Sequence, residues 1–397
     1  MTPTLHDDWS HLWSLDPDVT FLNHGSFGAC PKAVLAAQQE LRARLEREPV
    51  RFFVRDLEPL LDDARQTLGA FLGADPDGIA FVSNATAGVN TVLRSLEFAS
   101  GDELIVTDHA YNACRNALDV LGGRGGARVV VAHVPFPLAS ADEITGAVLA
   151  CVTSRTTLAL LDHVTSPTGL VFPIARLVEE LAARGVDTLV DGAHAPGMLP
   201  LDLESIGAAY YAGNCHKWLC APKSVGFVSV RRDRQAAIRP LVISHGANSP
   251  RRDRSRFRLE FDWMGTMDPT PALCIAESMR LLGDTYPGGW TAIMERNHGL
   301  ALAARRILCD TLGATPPCPA DMIGSLAAVP LPDGSPEPPS SPLYADPLQD
   351  ALLDRFGIQV PIVPWPGPPK RLVRVSAQLY NRPEHYEKLA AALSELL

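Results

Sequence analysis

Two side chains 26 residues apart carry the plainest chemistry in this chain. Lys217 lies in Tyr210-Tyr211-Ala212-Gly213-Asn214-Cys215-His216-Lys217-Trp218, after a short apolar run that reads as a strand. Asp191 opens Asp191-Gly192-Ala193-His194-Ala195-Pro196-Gly197, after another such run. An amine at one strand end and a carboxylate at the next suit pyridoxal phosphate (PLP). The lysine forms a Schiff base with the cofactor aldehyde, and the carboxylate keeps the pyridine nitrogen protonated so that the ring accepts electrons. A third segment, Ser83-Asn84-Ala85-Thr86-Ala87-Gly88, turns a strand into a helix. Small and hydroxyl residues there leave backbone N–H groups free for a phosphate, aided by the helix dipole.

These residues need elements that bring them together. Strand-like runs occur at 79–83, 103–107, 128–134, 157–163, 186–190, 208–212 and 225–230. Helical patterns separate most of them, for example at 85–96 and 173–184, and two more precede them at 32–48 and 57–72. Such alternation implies an α/β fold with a mostly parallel sheet covered on both faces. Ligands in such sheets bind beyond the carboxyl ends of the strands, where Asp191 and Lys217 fall. After about residue 260 the texture changes: helices are expected at 269–282, 291–312 and 383–397, and strands at 325–330 and 371–376. The Pro- and Ser-rich run Leu331 to Pro342 reads as a surface loop. The expected division is a large domain over 20–260 and a small one built from 1–19 and 261–397.

The bulk numbers narrow the function classes. A net charge of −10 argues against a nucleic-acid surface. No apolar run is long enough to span a membrane, and the polar, acidic start has no signal-peptide pattern. Eight scattered cysteines show no CxxC and no metal-ligand spacing, so reduced thiols, a cytoplasmic setting and no metal are expected. The run Arg251-Arg252-Asp253-Arg254-Ser255-Arg256-Phe257-Arg258 reads as a solvated face, or as a guide for an anionic ligand or a subunit contact.

Taken together, Asp191 with its Gly-Ala-His, His216-Lys217-Trp218, and Val373-Arg374-Val375-Ser376 with Tyr380-Asn381 resemble the class V aminotransferase family of PLP enzymes of fold type I. Leu22-Asn23-His24-Gly25-Ser26-Phe27-Gly28, Asp191–Gly197 and Val360-Pro361-Ile362-Val363-Pro364-Trp365 are similar to its isopenicillin N epimerase-like subgroup. The resemblance implies a three-layer α/β/α large domain with a seven-stranded sheet and a smaller α+β domain. It also implies a homodimer with shared active sites and an amino-acid substrate. Carried over residue by residue, it makes Lys217 the Schiff-base lysine and proton shuttle and pairs Asp191 with the pyridine nitrogen. His194 lies near the ring and its phenolic oxygen, and His109 stacks on the face opposite the lysine, with Tyr111 as the second candidate there and as a catalytic acid. Ala85, Thr86, Asn214 and His216 bind the phosphate, and Thr266 reaches the partner subunit's phosphate. Ser166 stands where relatives carry an asparagine that touches cofactor and substrate. Arg374 binds the substrate carboxylate, with Asn23 and His24 nearby.

Each role has an ordinary rival: a hydrogen-bonded core histidine, an interior ion pair at Arg374, a simple turn at Asn23-His24. One departure bears on the reaction. Cysteine desulfurases of the family carry a nucleophilic cysteine on a loop before the carboxylate-binding arginine, and 355–370 contains none. A persulfide route through that loop is not expected, and the resemblance to the subgroup implies epimerisation at Cα, with C–S β-elimination as the alternative and transamination behind both.

Overall fold

A computed structural model of the chain describes residues 4–337 and 346–397. Seven strands form the central sheet: β1 (Ile79–Val82), β2 (Glu103–Thr107), β3 (Arg128–Ala132), β4 (Thr156–Asp162), β5 (Asp187–Gly192), β6 (Tyr210–Asn214) and β7 (Gly226–Val230). Their spatial order is β1-β7-β6-β5-β4-β2-β3. β2 to β6 run parallel, and β7 is antiparallel to both its neighbours. Every residue of β2 and β6 is buried, as a sheet covered on both faces requires. The expected strands and their parallel arrangement are therefore present.

Register carries the sheet's contribution to the site. Asp162 at the end of β4 pairs with Asp191 on β5, and Asp191 pairs with Ala212 on β6. The carboxyl ends of three adjacent strands thus lie side by side, and Lys217 follows three residues after β6. The helix Ala85–Ser95 begins just after β1, capped by Asn84, whose side chain accepts from the Ala87 N–H at 2.8 Å.

A second sheet has three strands: β8 (Leu326–Leu331), β9 (Ile362–Pro364) and β10 (Arg371–Ser376), in the order β9-β10-β8, all antiparallel. β9 departs from the sequence expectation, because Pro361 and Pro364 mark its ends. It is an edge strand, where a missing N–H costs no ladder bond. The helix expected over 269–282 is divided into Thr270–Leu273 and Ile275–Thr285. In the Pro-rich run, 338–342 lie outside the described residues.

The N-terminal segment belongs to neither sheet and forms a two-stranded one of its own. Thr20 and Phe21 pair in parallel with Ile358 and Gln359. Gly28 then folds onto the loop that carries Lys217. Its φ is +70°, and a Cβ there would sit 2.0 Å from the His216 carbonyl oxygen. Gly197, at φ +83°, is closely approached by the Trp218 backbone, 2.7 Å from such a Cβ. Two glycines from distant parts of the chain thus let backbone close on both sides of residues 216–218.

Gly28→Ala is expected to destabilise the chain by about 1–3 kcal/mol, from left-handed strain plus the clash with His216. Denaturant unfolding measures it. A loss below roughly 0.5 kcal/mol, the level of an ordinary surface change, would show that the loop yields.

Candidate active site

Lys217 is 9% exposed, and its amine lies 3.2 Å from His194 Nε2. Its backbone is gripped as well. The Lys217 carbonyl accepts from the Cys220 N–H at 2.9 Å and from His24 Nε2 at 3.0 Å. Cys220 closes this tight turn at φ +57°, a strained conformation for a residue with a Cβ. Burial first, then the positive charge of Arg374, lowers the Lys217 pKa to about 7, against the favourable charge of Asp191. A lysine near that value is substantially a free amine at neutral pH, as nucleophile or base chemistry requires.

Asp191 is fully enclosed. One carboxylate oxygen accepts from the Ala193 N–H at 3.1 Å and the other from the Cys114 thiol at 3.0 Å. Burial raises its pKa; those two hydrogen bonds and the charge of Lys217 oppose the rise. No cationic side chain lies within salt-bridge distance among the described residues. A buried carboxylate held by a thiol and one amide is suited to a protonated ring nitrogen. The phosphate end fits equally well. Ala85 donates its N–H to Asn214 Oδ1 at 2.8 Å, locking the helix start to the end of β6. The Thr86 N–H has no protein acceptor among the described residues. His216 bonds the Val225 carbonyl through Nδ1 at 2.8 Å, leaving Nε2 available. PLP therefore fits these residues: Lys217 would hold the aldehyde carbon, Asp191 the ring nitrogen, and Thr86 with His216 the phosphate.

Arg374, from β10, closes the opposite side. It is 5% exposed and donates to the Ser166 carbonyl and hydroxyl, to Ser26 Oγ at 3.0 Å and to Asn23 Oδ1 at 3.5 Å. Its Nε has no acceptor, and no carboxylate pairs with it among the described residues. The interior ion pair that a buried arginine could have made is therefore absent there. Ser166 and Asn23 aim the guanidinium.

Of the other expected residues, two histidines have both ring nitrogens engaged by protein groups, while Tyr111 and Thr266 are exposed. His24 spends one ring nitrogen on the Tyr380 hydroxyl at 2.7 Å and the other on the Lys217 carbonyl, so it braces the lysine loop and offers no nitrogen to a substrate. His109 is fully buried, with its nitrogens on Thr168 Oγ1 at 2.8 Å and the Val134 carbonyl at 3.0 Å, and its ring against Trp365. Tyr111 is 41% exposed, and its hydroxyl feels the charges of both Asp191 and Arg374. Thr266 is exposed on an outer loop. The Arg251–Arg258 run is used internally: Arg251, Arg254 and Arg258 pair with Glu58, Asp62, Asp77 and Asp262.

Sequence reasoning missed Cys114 and Asp162. Asp162 accepts from the Tyr111 N–H at 3.2 Å, and its pKa is driven well up by burial and the neighbouring Asp191. Its place at the end of an apolar run, level with Asp191, was the available signal. Cys114, in the first turn of the helix Asn112–Gly125, had none beyond helical spacing from Tyr111. No cysteine lies between Phe356 and Lys370; the preceding one, Cys318, is buried against Arg305.

With this geometry in view, the comparisons with known proteins are specific. The family described as aminotransferase class-V matches residues 24–301. The chain belongs to this family of PLP-dependent enzymes. Within it, the chain is 38% identical to an isopenicillin N epimerase from Amycolatopsis lactamdurans, over 96% of each chain. It is 32% identical to a probable chloroplastic L-cysteine desulfhydrase from Arabidopsis thaliana, over 99% of this chain and 85% of the other. Among solved structures, a C-DES mutant with glycine linked to its PLP cofactor superposes with a TM-score of 0.79, covering 99% of this chain and 100% of the other, at 21% identity. At that identity it speaks for the fold. No helix among the described residues is long and apolar enough to cross a membrane.

The lowered pKa of Lys217 has a direct stability consequence. Its folded value, about 7, lies below the ordinary 10.5, so the unfolded chain binds more protons between those values. The penalty for burying the amine is fully present below pH 7 and fades as pH rises toward 10.5. Lys217→Met is therefore expected to stabilise the cofactor-free chain at pH 6 by a few kcal/mol, on the order of 1.4 kcal/mol for each pH unit separating the folded and unfolded values. Denaturant midpoints should converge with wild type near pH 10.5. A pH-independent difference would show that Lys217 is not buried as a strained base.

Proposed function

We propose that the chain acts at the Cα of an amino acid or amino-acid-derived substrate, and that its reaction is epimerisation. The observation that carries substrate class is Arg374: a buried guanidinium with an unused Nε and no protein carboxylate beside it among the described residues. A substrate α-carboxylate supplies the missing anion in the two-pronged geometry arginine favours. PLP, when bound, supplies the electron-accepting ring that makes the Cα proton removable. Lys217 takes that proton as a free amine. Inversion needs an acid on the other side, and Tyr111 fits this better than His109. Burial and nearby negative groups raise the Tyr111 pKa, so its hydroxyl stays protonated, whereas both nitrogens of His109 are occupied. The similarity to isopenicillin N epimerases over nearly the whole chain supports the reading.

A homodimer is part of this proposal. Val50, Val54, Leu241, Val242, Ile243 and Met267 are large apolar residues left exposed. A cavity of about 250 Å³ lined by Phe53, Phe81, Trp263 and Met267 opens beside Ser83 and Ser224, near the phosphate end. A second copy would cover these groups and let Thr266 reach across. A cytoplasmic location and the division at residue 260 are inferred from the sequence alone.

Incubation in deuterium oxide with single stereoisomers of candidate amino acids is expected to give both epimers with deuterium at Cα. Retention of one unexchanged isomer across the panel would overturn epimerisation. Tyr111→Phe should lower the inversion rate by about 10²-fold or more while leaving exchange by Lys217 in place. The second reading, C–S β-elimination, is favoured by the L-cysteine desulfhydrase relatives and needs only Lys217 to move protons. It requires pyruvate and ammonia from S-substituted cysteines, and their absence would remove it. Arg374→Lys should raise KM by about 10–100-fold for either reaction, in line with losing a bidentate charged contact.

A further inference from the structure

The Lys217 amine has one hydrogen-bonding neighbour among the described side chains, His194 Nε2 at 3.2 Å. The other nitrogen of His194, Nδ1, meets the indole N–H of Trp218 at 3.4 Å. An indole N–H donates and never accepts. The imidazole nitrogen facing it must therefore be the one without a proton, and in neutral histidine the proton then sits on Nε2. We infer that Trp218 is a positioning residue for the lysine: it fixes His194 as the Nε2–H tautomer, which donates to the lone pair of Lys217 Nζ and holds the lysine as a free amine. An ammonium has three donors and no acceptor, so it would face the imidazole N–H proton to proton.

Burial favours the same arrangement. Trp218 is 1% exposed, and its ring packs on His24 at 4.9 Å between centroids. His194 is 1% exposed, and desolvation, followed by the charges of Lys217 and Arg374, holds its pKa well below the ordinary value. A doubly protonated imidazole would also set an N–H against the indole N–H. The charged and titratable groups around the pair come from every neighbouring element. Arg374 on β10 opposes a lysine cation, and Asp191 on β5 and Cys114 favour it. His24 and His216 act on His194. Trp218 carries no charge and works through the tautomer alone. This deepens the proposed function, since it rests on Lys217 as the reactive amine.

The test uses the full-length chain, labelled with ¹⁵N-histidine and stripped of cofactor, so neither readout depends on turnover. Long-range ¹⁵N–¹H spectra, assigned by the signal lost in His194→Gln, are expected to show His194 protonated at Nε2. Trp218→Phe keeps an aromatic ring and removes the donor. His194 should then populate the Nδ1–H form and offer Nε2 as an acceptor to an ammonium. The apparent pKa of Lys217, from pH-dependent acetylation read by mass spectrometry, should rise by on the order of one pH unit. At pH 7 that takes the free amine from about half of the molecules to about a tenth, roughly fivefold less. Benzothienylalanine at 218 matches the indole shape without the N–H and covers the case in which the phenylalanine variant does not fold. An Nδ1–H form in the wild-type chain would overturn the inference. So would a folded variant whose Lys217 titration matches wild type, the outcome of a purely packing role. Failure to bind PLP, measured separately, would count against the proposed function and leave these readouts intact.

Discussion

An amine held out of water without an ion-pair partner is the constraint on which the rest of this structure depends. Lys217 is surrounded by groups that tolerate it as a neutral base and penalise it as a cation: burial, Arg374 and an imidazole at 3.2 Å. A charged lysine would escape to solvent if its backbone allowed it. Its carbonyl is tied to His24 and Cys220, and backbone closes on the loop at Gly28 and Gly197. Destabilisation at one atom is thus held in place by close packing around it, the usual relation between strain and a reactive site.

The two acidic groups behind the site obey the same logic with opposite sign. Asp191 and Asp162 sit in register on adjacent strands, both enclosed. Burial and mutual repulsion favour keeping a proton on the pair. The Ala193 amide and the Cys114 thiol favour Asp191 as the ionised member, and the pKa of Asp162 is raised further. The parallel sheet makes this possible, because it delivers several strand ends to one edge and leaves the covering helices to exclude water.

Arg374 ties the two sheets to one purpose. It reaches from β10 to the 166–168 turn after β4 and to Ser26 in the N-terminal segment. The guanidinium is thereby held by three segments far apart in the chain. The loop that precedes Arg374 carries no thiol, so a persulfide route has no nucleophile there.

Much of this was legible in the chain itself. Apolar runs at strand length, helical spacing between them, and Asp191 and Lys217 at run ends specify a parallel sheet with a site at its carboxyl edge, because burial on both faces leaves a local signature. The placement of Ala85, Thr86, Asn214 and His216 near one edge was legible for the same reason, at strand ends and a helix start, but not that Ala85 and Asn214 bond each other. What pairs across the fold was not. His24 and Lys217 are 193 residues apart, and Cys114 and Asp191 are 77 apart. No periodicity records which nitrogen a histidine spends on a carbonyl, or that Arg258 spends itself on Asp62 and Asp77. The residue types determined that a lysine, an aspartate and an arginine were available for PLP and a carboxylate. Only the tertiary structure decided which groups are buried, which donors face which acceptors, and so which protonation state each one holds.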